Sequence, residues 1–338
     1  MTVFPSRKAF TAAAAGTLAG LAAGIKPARA AEFSFKLGHN TPEGQAQSVR
    51  TRQMAAEVAK ATNGMLDIQI FGGGSLGTDA AVLTQTRSGA IQMCLVGSPY
   101  LGSVIPQAQM DSVPFAYANS DVALRAFNGK LGEWLRQKIH TNMGVFALDG
   151  TWDTGFRQVG GSRAIVHPDD FAGFKIRVPP AKLFIDTFKT LGASPVPVDY
   201  AQMYTSLQTH IIDGEELPID FMEYGHYFEV EKYLSLTNHM WGARWMLVNL
   251  DAWNALPKDV QTVLSSASLK YAGFSHRDTE LLDAAIPDKL KRRGMIVSTV
   301  SRDAFKQKLG TPFYNRWRDE FGTVPWGLME QYTGPLAS

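Results

Sequence analysis

The chain has 338 residues, of which 45% are hydrophobic, 11% aromatic and 19% charged. These values exclude a disordered, collagen-like or coiled-coil chain, and the length favours two lobes over a single core. The formal net charge is +2, yet residues 31–338 carry 29 basic and 31 acidic residues, a net charge of −2. Because nucleic-acid binding needs a basic excess, no nucleic acid is expected as a partner. The single cysteine, Cys94, excludes an internal disulfide.

Residues 1–30 have the pattern of a cleavable export signal. Arg7 and Lys8 precede a small, apolar stretch, and the A-R-A sequence at 28–30 matches the pattern that signal peptidases cleave. The apolar stretch is shorter than the roughly 20 residues that span a bilayer. We therefore expect a signal peptide over residues 1–30 and a mature protein in the periplasm without direct membrane insertion. The Arg-Lys pair leaves both the general and the twin-arginine export routes open.

The first part of the mature chain alternates predicted strands and helices. Alternating or continuous apolar residues predict strands, and helical spacing ended by glycine predicts helices. The strands are Phe33–Leu37, Leu66–Ile70 and Ile91–Val96, and the helices are Ala46–Thr62, Thr78–Arg87 and Asp121–His140. This β-α-β-α-β order predicts a parallel sheet with right-handed crossovers and hence an α/β lobe.

A second α/β lobe is predicted further along the chain. Its strands are Val145–Leu148, Phe156–Val159, Lys175–Val178 and Pro195–Val198, and its helices are Ala181–Leu191 and Ala201–Ile211. Next come a returning strand, Trp245–Leu250, and a helical stretch, Lys258–Arg293, in which Pro287 predicts a kink or a break. A strand, Met295–Val300, follows. We expect a hinged clamshell, with lobe I formed by residues 31–150 and 243–282 and lobe II by residues 151–242 and 283–338.

No motif of the sequence predicts a catalytic, cofactor or metal site. The loop at residues 72–77 fits G-x-G-x-x-G, but the following strand ends without the acid that a dinucleotide site requires. The seven histidines lack a metal-binding spacing such as H-E-x-x-H, and no G-x-S-x-G elbow of a serine hydrolase occurs. No cofactor and no metal are therefore expected.

Two arginines lie inside apolar, strand-like segments, where a permanent charge is costly unless it is paired. They are Arg157 and Arg177. One interpretation is a pair of internal salt bridges, for example to Asp153 or Glu216. The other is a site for a carboxylate ligand, because a guanidinium matches a carboxylate through two parallel hydrogen bonds.

Four segments in close succession resemble one known family. They are Phe171–Pro179 (FAGFKIRVP), Leu191–Val198 (LGASPVPV), Tyr204–Gln208 (YTSLQ) and Ile212–Glu216 (IDGEE). This run is similar to the core of the periplasmic solute-binding proteins of tripartite ATP-independent periplasmic (TRAP) transporters, of the C4-dicarboxylate-binding, DctP type. The resemblance covers roughly residues 33–320. It implies a periplasmic-binding-protein-like clamshell, with a long helix spanning both lobes, that closes over a carboxylate-bearing solute.

The resemblance also implies individual binding residues. Arg177 corresponds to the main carboxylate-binding arginine of the family, and Arg157 to a second arginine. Asn40 corresponds to an asparagine after the first strand, and Tyr200 to an aromatic residue against the solute. Many members have an asparagine at the position of Leu217, so this chain lacks one polar contact to the solute. Around the rest of the pocket we expect Trp152, Tyr100 and Trp241, with His39 and Glu216 as further polar groups.

The sequence thus predicts a non-enzymatic receptor that delivers a small organic acid to the small and large membrane subunits of a TRAP transporter. Leu217 favours an aliphatic or aromatic hydroxy or keto acid over a uronate or aldonate, because each unsatisfied hydroxyl costs about 1–3 kcal/mol. Two alternatives stay open: a receptor for another class of transporter, and an exported enzyme that acts on a carboxylate substrate.

Overall fold

The computed structural model describes residues 31–336, so the predicted signal peptide lies outside the described residues. The strands are β1 (Phe33–Gly38), β2 (Leu66–Phe71), β3 (Met93–Gly97), β4 (Val145–Ala147), β5 (Trp152–Gly161), β6 (Lys175–Val178), β7 (Ser194–Pro197), β8 (Gly214–Pro218), β9 (Tyr233–Leu236), β10 (Trp241–Asn249) and β11 (Ile296–Thr299). The α-helices are α1 (Ala46–Ala61), α2 (Asp79–Ser88), α3 (Ser98–Leu101), α4 (Ser120–Asn128), α5 (Lys130–Met143), α6 (Lys182–Leu191), α7 (Tyr200–Gln208), α8 (Ile219–Tyr224), α9 (Leu250–Ala255), α10 (Lys258–Arg292), α11 (Arg302–Phe321) and α12 (Thr323–Thr333). The α/β class predicted from the sequence is confirmed.

The strands join in the order β2-β1-β3-β10-β5-β8-β6-β7. One end of this order, here called the first side, consists of β1, β2 and β3, and β1 runs parallel to the other two, as the β-α-β-α-β pattern predicts. The other end, here called the second side, consists of β6, β7 and β8, and β6 runs parallel to the other two. The long strands β10 and β5 pair antiparallel with each other between the two sides. They form the crossing that the sequence predicts between two lobes.

Helix α10 contacts elements of both the first and the second side. Helix α10 contacts α1 on the first side and α8 on the second, and it also packs against β5. It runs unbroken through Pro287, so the proline does not end the helix. Proline removes one helical hydrogen bond, and the burial of Ile286 and Leu290 on either side offsets that loss.

The helix predicted over Asp121–His140 is instead two helices, α4 and α5, which meet at Gly129. A Cβ at Gly129 would lie 2.6 Å from the Arg125 carbonyl oxygen and would also overlap the Tyr332 hydroxyl. Only glycine fits there. Tyr332 belongs to α12, which packs on α4 and α5 of the first side, although the predicted boundaries assign residues 323–333 to lobe II.

The sequence interpretation also omits short strands. Strands β8 and β9 are not predicted, and β5 and β10 each begin four residues earlier than expected. Both long strands are buried along almost their whole length. They therefore lack the apolar–polar alternation by which a half-exposed strand is recognised.

Among residues 31–336, no helix is both long enough and apolar enough to cross a bilayer.

Candidate functional site

A cavity of about 60 Å³ lies between the two sides of the sheet arrangement. From the first side, the cavity is lined by the residues after β1, by the first residue of α2 and by α3, together with β10. From the second side, it is lined by β6, β8, α8 and the first residue of α7. Its lining includes Asn40, Asp79, Tyr100, Asp111, Thr154, Arg157, Arg177, Tyr200, Leu217, Phe221 and Arg244. At roughly 10–15 Å³ per water centre, the space holds about four to six water-sized groups.

Arg177 is the cavity-lining arginine that has no acidic partner. Its side chain is 2% exposed, and its Nε donates to the Val198 carbonyl oxygen at 2.7 Å. No carboxylate of the described residues lies within ion-pair distance of its guanidinium. A buried, uncompensated guanidinium is costly in the absence of an anion, so this group can bind a carboxylate that enters the cavity.

Arg157 has a carboxylate partner, Glu216, as the interpretation of an internal salt bridge predicts for this arginine. Its Nε donates to Glu216 Oε2, and its Nη2 donates to Glu216 Oε1 at 2.9 Å and to the Glu216 carbonyl oxygen at 2.7 Å. His239 Nε2 lies 3.2 Å from the same carboxylate. Burial alone would raise the pKa of Glu216, but the charge of Arg157 and the hydrogen bonds from His239 and Arg157 hold this pKa below its ordinary value. Arg157 thus lines the cavity with its charge already neutralised.

A second charged pair, Asp79 and Arg244, lies on the first side of the cavity. Arg244 Nη2 donates to Asp79 Oδ1 at 3.0 Å, to Asn40 Oδ1 at 2.7 Å and to the Leu95 carbonyl oxygen at 2.8 Å. Asn40 Nδ2 donates to the other oxygen of Asp79. The Nε of Arg244 is buried and has no partner among residues 31–336. It belongs to a side chain that lines the cavity.

Asp111 adds a titratable group to the same side. Its Oδ2 accepts from the Ala243 backbone N–H at 2.8 Å, and its Oδ1 accepts from the Ser112 hydroxyl at 3.0 Å. Burial raises its pKa to about 7, despite these hydrogen bonds. The carboxyl group is therefore largely neutral in mildly acidic solution.

Aromatic and aliphatic side chains form the rest of the wall. Tyr200 packs edge-on against Phe221, with ring centroids 5.5 Å apart. Burial raises the pKa of Tyr200 to about 12, so its hydroxyl stays protonated and can donate a hydrogen bond. Leu217 and Tyr100 also line the cavity. The wall combines apolar area with a few polar groups, as small-molecule sites commonly do.

Six of the ten side chains predicted from the sequence line this cavity: Asn40, Tyr100, Arg157, Arg177, Tyr200 and Leu217. Four do not. The ring of Trp152 is buried in the core cluster that includes Phe35 and Leu37 of β1, and that of Trp241 packs against Tyr117 and Phe127. Glu216 is held by Arg157, and His39 is buried beside Gly72. The large rings fill core space, which leaves them no face toward the cavity.

Sequence reasoning missed Asp79, Asp111 and Arg244. Arg244 lies inside the apolar segment Trp241–Asn249 and so carries the same signal as Arg157 and Arg177. It was missed because the predicted strand began one residue after it. Asp79 is the first residue of α2, capped by Thr78, and looks like an ordinary helix-start acid. No local pattern distinguishes Asp111.

One group of side chains outside the cavity has metal-ligand chemistry. Ligand atoms of Asp121, His276 and Glu280 lie within 4.8 Å of one another. His276 Nδ1 also lies 2.7 Å from Asp153 Oδ2, and this hydrogen bond raises the pKa of His276. The raised pKa favours an imidazolium that pairs with these carboxylates, and no metal is assigned to the group.

Comparison with known proteins identifies close resemblances over most of the chain. The model of the DctP family, described as bacterial extracellular solute-binding protein, family 7, matches residues 37–319. The 2,3-diketo-L-gulonate-binding periplasmic protein YiaO of Escherichia coli K12 is 30% identical over 90% of this chain and 91% of its own. The C4-dicarboxylate-binding periplasmic protein DctP of Rhodobacter capsulatus is 27% identical over 86% and 87%.

Solved structures agree with these relatives. The sugar acid binding protein DctPAm of Advenella mimigardefordensis, in complex with galactonate, superposes with a TM-score of 0.85 at 25% identity, covering 90% of this chain and 98% of its own. A TRAP periplasmic solute binding protein of Polaromonas, bound to D-erythronate, also gives a TM-score of 0.85 at 25% identity, covering 89% and 98%. The fold is therefore the two-lobed clamshell of these binding proteins.

Proposed function

The chain belongs to the bacterial extracellular solute-binding proteins of family 7, the DctP family, and on that premise we propose that it is a periplasmic, non-enzymatic receptor for a small organic acid. Its mature form lies in the periplasm and delivers the acid to the small and large membrane subunits of a TRAP transporter. Arg177 carries the proposal, because it is a buried guanidinium at the cavity that no carboxylate of the described residues neutralises.

The charges around the cavity favour a monocarboxylate. Arg157 is neutralised by Glu216, and Arg244 is paired with Asp79. Among the charged groups that line the cavity, with Asp111 protonated, one positive charge is left over, on Arg177. A single ligand carboxylate balances it, whereas a second carboxylate at the other end of the ligand would meet Asp79.

The polar groups on the first side favour a ligand that also carries a hydroxyl or keto oxygen. Arg244 Nε is a buried donor without a partner, and Asn40 and Asp79 lie beside it. An oxygen of the ligand would accept from Arg244, and a hydroxyl could also donate to Asp79. We therefore propose a hydroxy or keto monocarboxylic acid that touches both sides and thereby stabilises the closed clamshell.

A screen of carboxylates by thermal shift, with product analysis of the same mixtures, tests this function. We expect one or a few small hydroxy or keto acids to raise the melting temperature with no chemical change to the acid. Multiple turnovers would instead establish an enzyme. Reconstitution with the two membrane subunits should give uptake that depends on this protein, and uptake independent of it would contradict the delivery role.

Leu217 is proposed to disfavour polyhydroxylated acids, since it is 4% exposed and offers the cavity no hydrogen bond. We expect Leu217→Asn to improve the affinity for an aldonate or uronate, relative to the native ligand, by about two- to tenfold, the effect of one added hydrogen bond. Calorimetry on both ligands measures the ratio. Leu217→Met, which stays apolar at similar volume, is the control and should leave the ratio unchanged. An unchanged ratio in Leu217→Asn would show that other groups serve the hydroxyls.

A further inference from the structure

Two buried glutamates lie in contact next to the cavity, and neither forms an ion pair with any residue between 31 and 336. They are Glu215 on β8 and Glu231, just before β9. Their residues are 0% and 5% exposed. All four of their carboxyl oxygens are buried, and none accepts a hydrogen bond from a donor group among the described residues.

A glycine on the neighbouring strand makes room for this pair. Gly160 of β5 is the direct partner of Glu215 across the antiparallel strands. A Cβ at this position would overlap Glu231 Oε2 and would lie 2.8 Å from Glu215 Oε1. The two carboxyl groups therefore converge over the same backbone position.

Two adjacent buried carboxylates cannot both carry a charge without a compensating cation. A proton between them removes one charge and supplies the hydrogen-bond donor that the site otherwise lacks. Burial, together with the neighbouring charge of Glu216, raises the pKa of Glu215 to about 8, and burial together with Glu215 raises the pKa of Glu231. Other charged or titratable groups that influence Glu215 are Arg177 of β6, Arg157 of β5, Tyr200 of α7 and Tyr227.

We propose that Glu215 and Glu231 form a proton-binding site that keeps at least one proton at neutral pH and whose protonation is coupled to ligand binding at Arg177. Arg177 and Glu215 are direct partners across the parallel strands β6 and β8. The positive charge of Arg177 favours loss of a proton from the pair. A ligand carboxylate neutralises that charge, so binding favours protonation, and by reciprocity protonation favours binding. This coupling rests on the proposed function, whereas the proton site itself does not.

Selective ¹³C labelling of glutamate carboxyl groups tests the proton site in the wild-type protein without ligand. The other buried carboxyl groups with a pKa raised to 7 or above, Asp111, Asp220 and Asp283, are aspartates and stay unlabelled. We expect at least one glutamate signal of a protonated carboxyl at about pH 7, which Glu231→Gln changes. Ionised signals for every glutamate at that pH would overturn the proposal.

Thermal unfolding without ligand provides a second measurement. A carboxyl whose folded pKa is raised binds more protons in the folded than in the unfolded state, so its contribution to stability falls as pH rises from about 4.5 to about 8. Glu231→Gln removes one acid and should flatten this decline in melting temperature. Glu229→Gln is the matched control, because Glu229 is exposed and lies in the same segment. Equal slopes in the wild type and Glu231→Gln would overturn the proposal.

Calorimetry with the acid found in the screen tests the coupling. Between about pH 6.5 and about pH 9.5 we expect the affinity of the wild type to fall by about three- to tenfold more than that of Glu231→Gln, which corresponds to a displacement of roughly half to one pKa unit. Asp111 titrates in a similar range but is present in both proteins, so the comparison isolates the pair. Proton uptake on binding near pH 8, measured in buffers of different ionisation enthalpy, should be smaller in the variant. Equal pH dependence would overturn the coupling, whereas failure of every acid to bind would contradict only the proposed function.

Discussion

Replacing Arg177 with alanine is expected to weaken binding of the carboxylate ligand by about 100-fold or more. The reason is the loss of two charge-assisted hydrogen bonds, each worth roughly 1.5–3 kcal/mol. Arg177→Lys keeps the charge but not the two-pronged geometry and should still lose about tenfold or more. Isothermal titration calorimetry with the acid found in the screen measures both effects.

The same variants should leave the ligand-free fold intact, which separates a binding role from a structural one. Arg177 has no ion-pair partner among residues 31–336, so its removal leaves no buried carboxylate unpaired and takes an uncompensated charge out of the interior. We expect the melting temperature without ligand to be unchanged or raised in Arg177→Ala. Arg125→Ala, which removes an exposed arginine of α4, is the control and should alter neither property. Unchanged affinity in both Arg177 variants would show that the carboxylate binds elsewhere.

The second large effect is expected at Glu216, and it concerns stability. Glu216→Gln leaves the buried guanidinium of Arg157 without its charged partner, which should lower the free energy of unfolding by about 3–5 kcal/mol. Denaturation by urea, followed by circular dichroism, measures the loss. The double variant Arg157→Met, Glu216→Leu removes both charges and should recover part of that stability. A loss below about 1 kcal/mol in Glu216→Gln would contradict the importance of this ion pair.

The pH dependence of stability gives this ion pair a signature opposite to that of the glutamate pair. Because Arg157 and His239 hold the folded-state pKa of Glu216 below 4.5, its ordinary value, its contribution to stability is present above about pH 4.5 and is lost as pH falls through the lowered pKa. Glu216→Gln should therefore flatten the acid side of the stability profile, whereas Glu231→Gln should flatten the decline between about pH 4.5 and 8.

How far the site can be predicted from the sequence depends on how far apart along the chain the contacting residues lie. Arg177 was recognisable because a charge inside a short apolar strand needs a partner, and nothing nearby in sequence supplies one. Arg157 carries the same local signal, yet its partner Glu216 lies 59 residues away. Strand pairing between β5 and β8 brings the two together. From the sequence alone, each arginine could form an internal ion pair or bind a ligand carboxylate. The packed structure shows the ion pair at Arg157 and no acidic partner for Arg177 among the described residues.

The aromatic residues illustrate the same limit. Trp152 and Tyr200 are equally plausible ligand contacts in the sequence, since a large ring fits a pocket as well as a core. Trp152 is buried in the core, whereas Tyr200 lines the cavity. Which way a ring points depends on the face of the element it projects from, and the fully buried strand β5 gives no alternation from which to assign faces.

The α/β class and the order of most strands and helices follow from periodicity and glycine-ended helices, which are local properties of the chain, and the family follows from the motifs between Phe171 and Glu216. Which charges are compensated follows instead from the packing of the folded chain. This packing paired Arg157 with Glu216 and Arg244 with Asp79, left Arg177 free of acidic partners among the described residues, and brought Glu215 and Glu231 together over Gly160. The physical reason is that the energy of a buried charge depends on groups within a few ångströms in space, and strand pairing sets those neighbours independently of their separation along the chain.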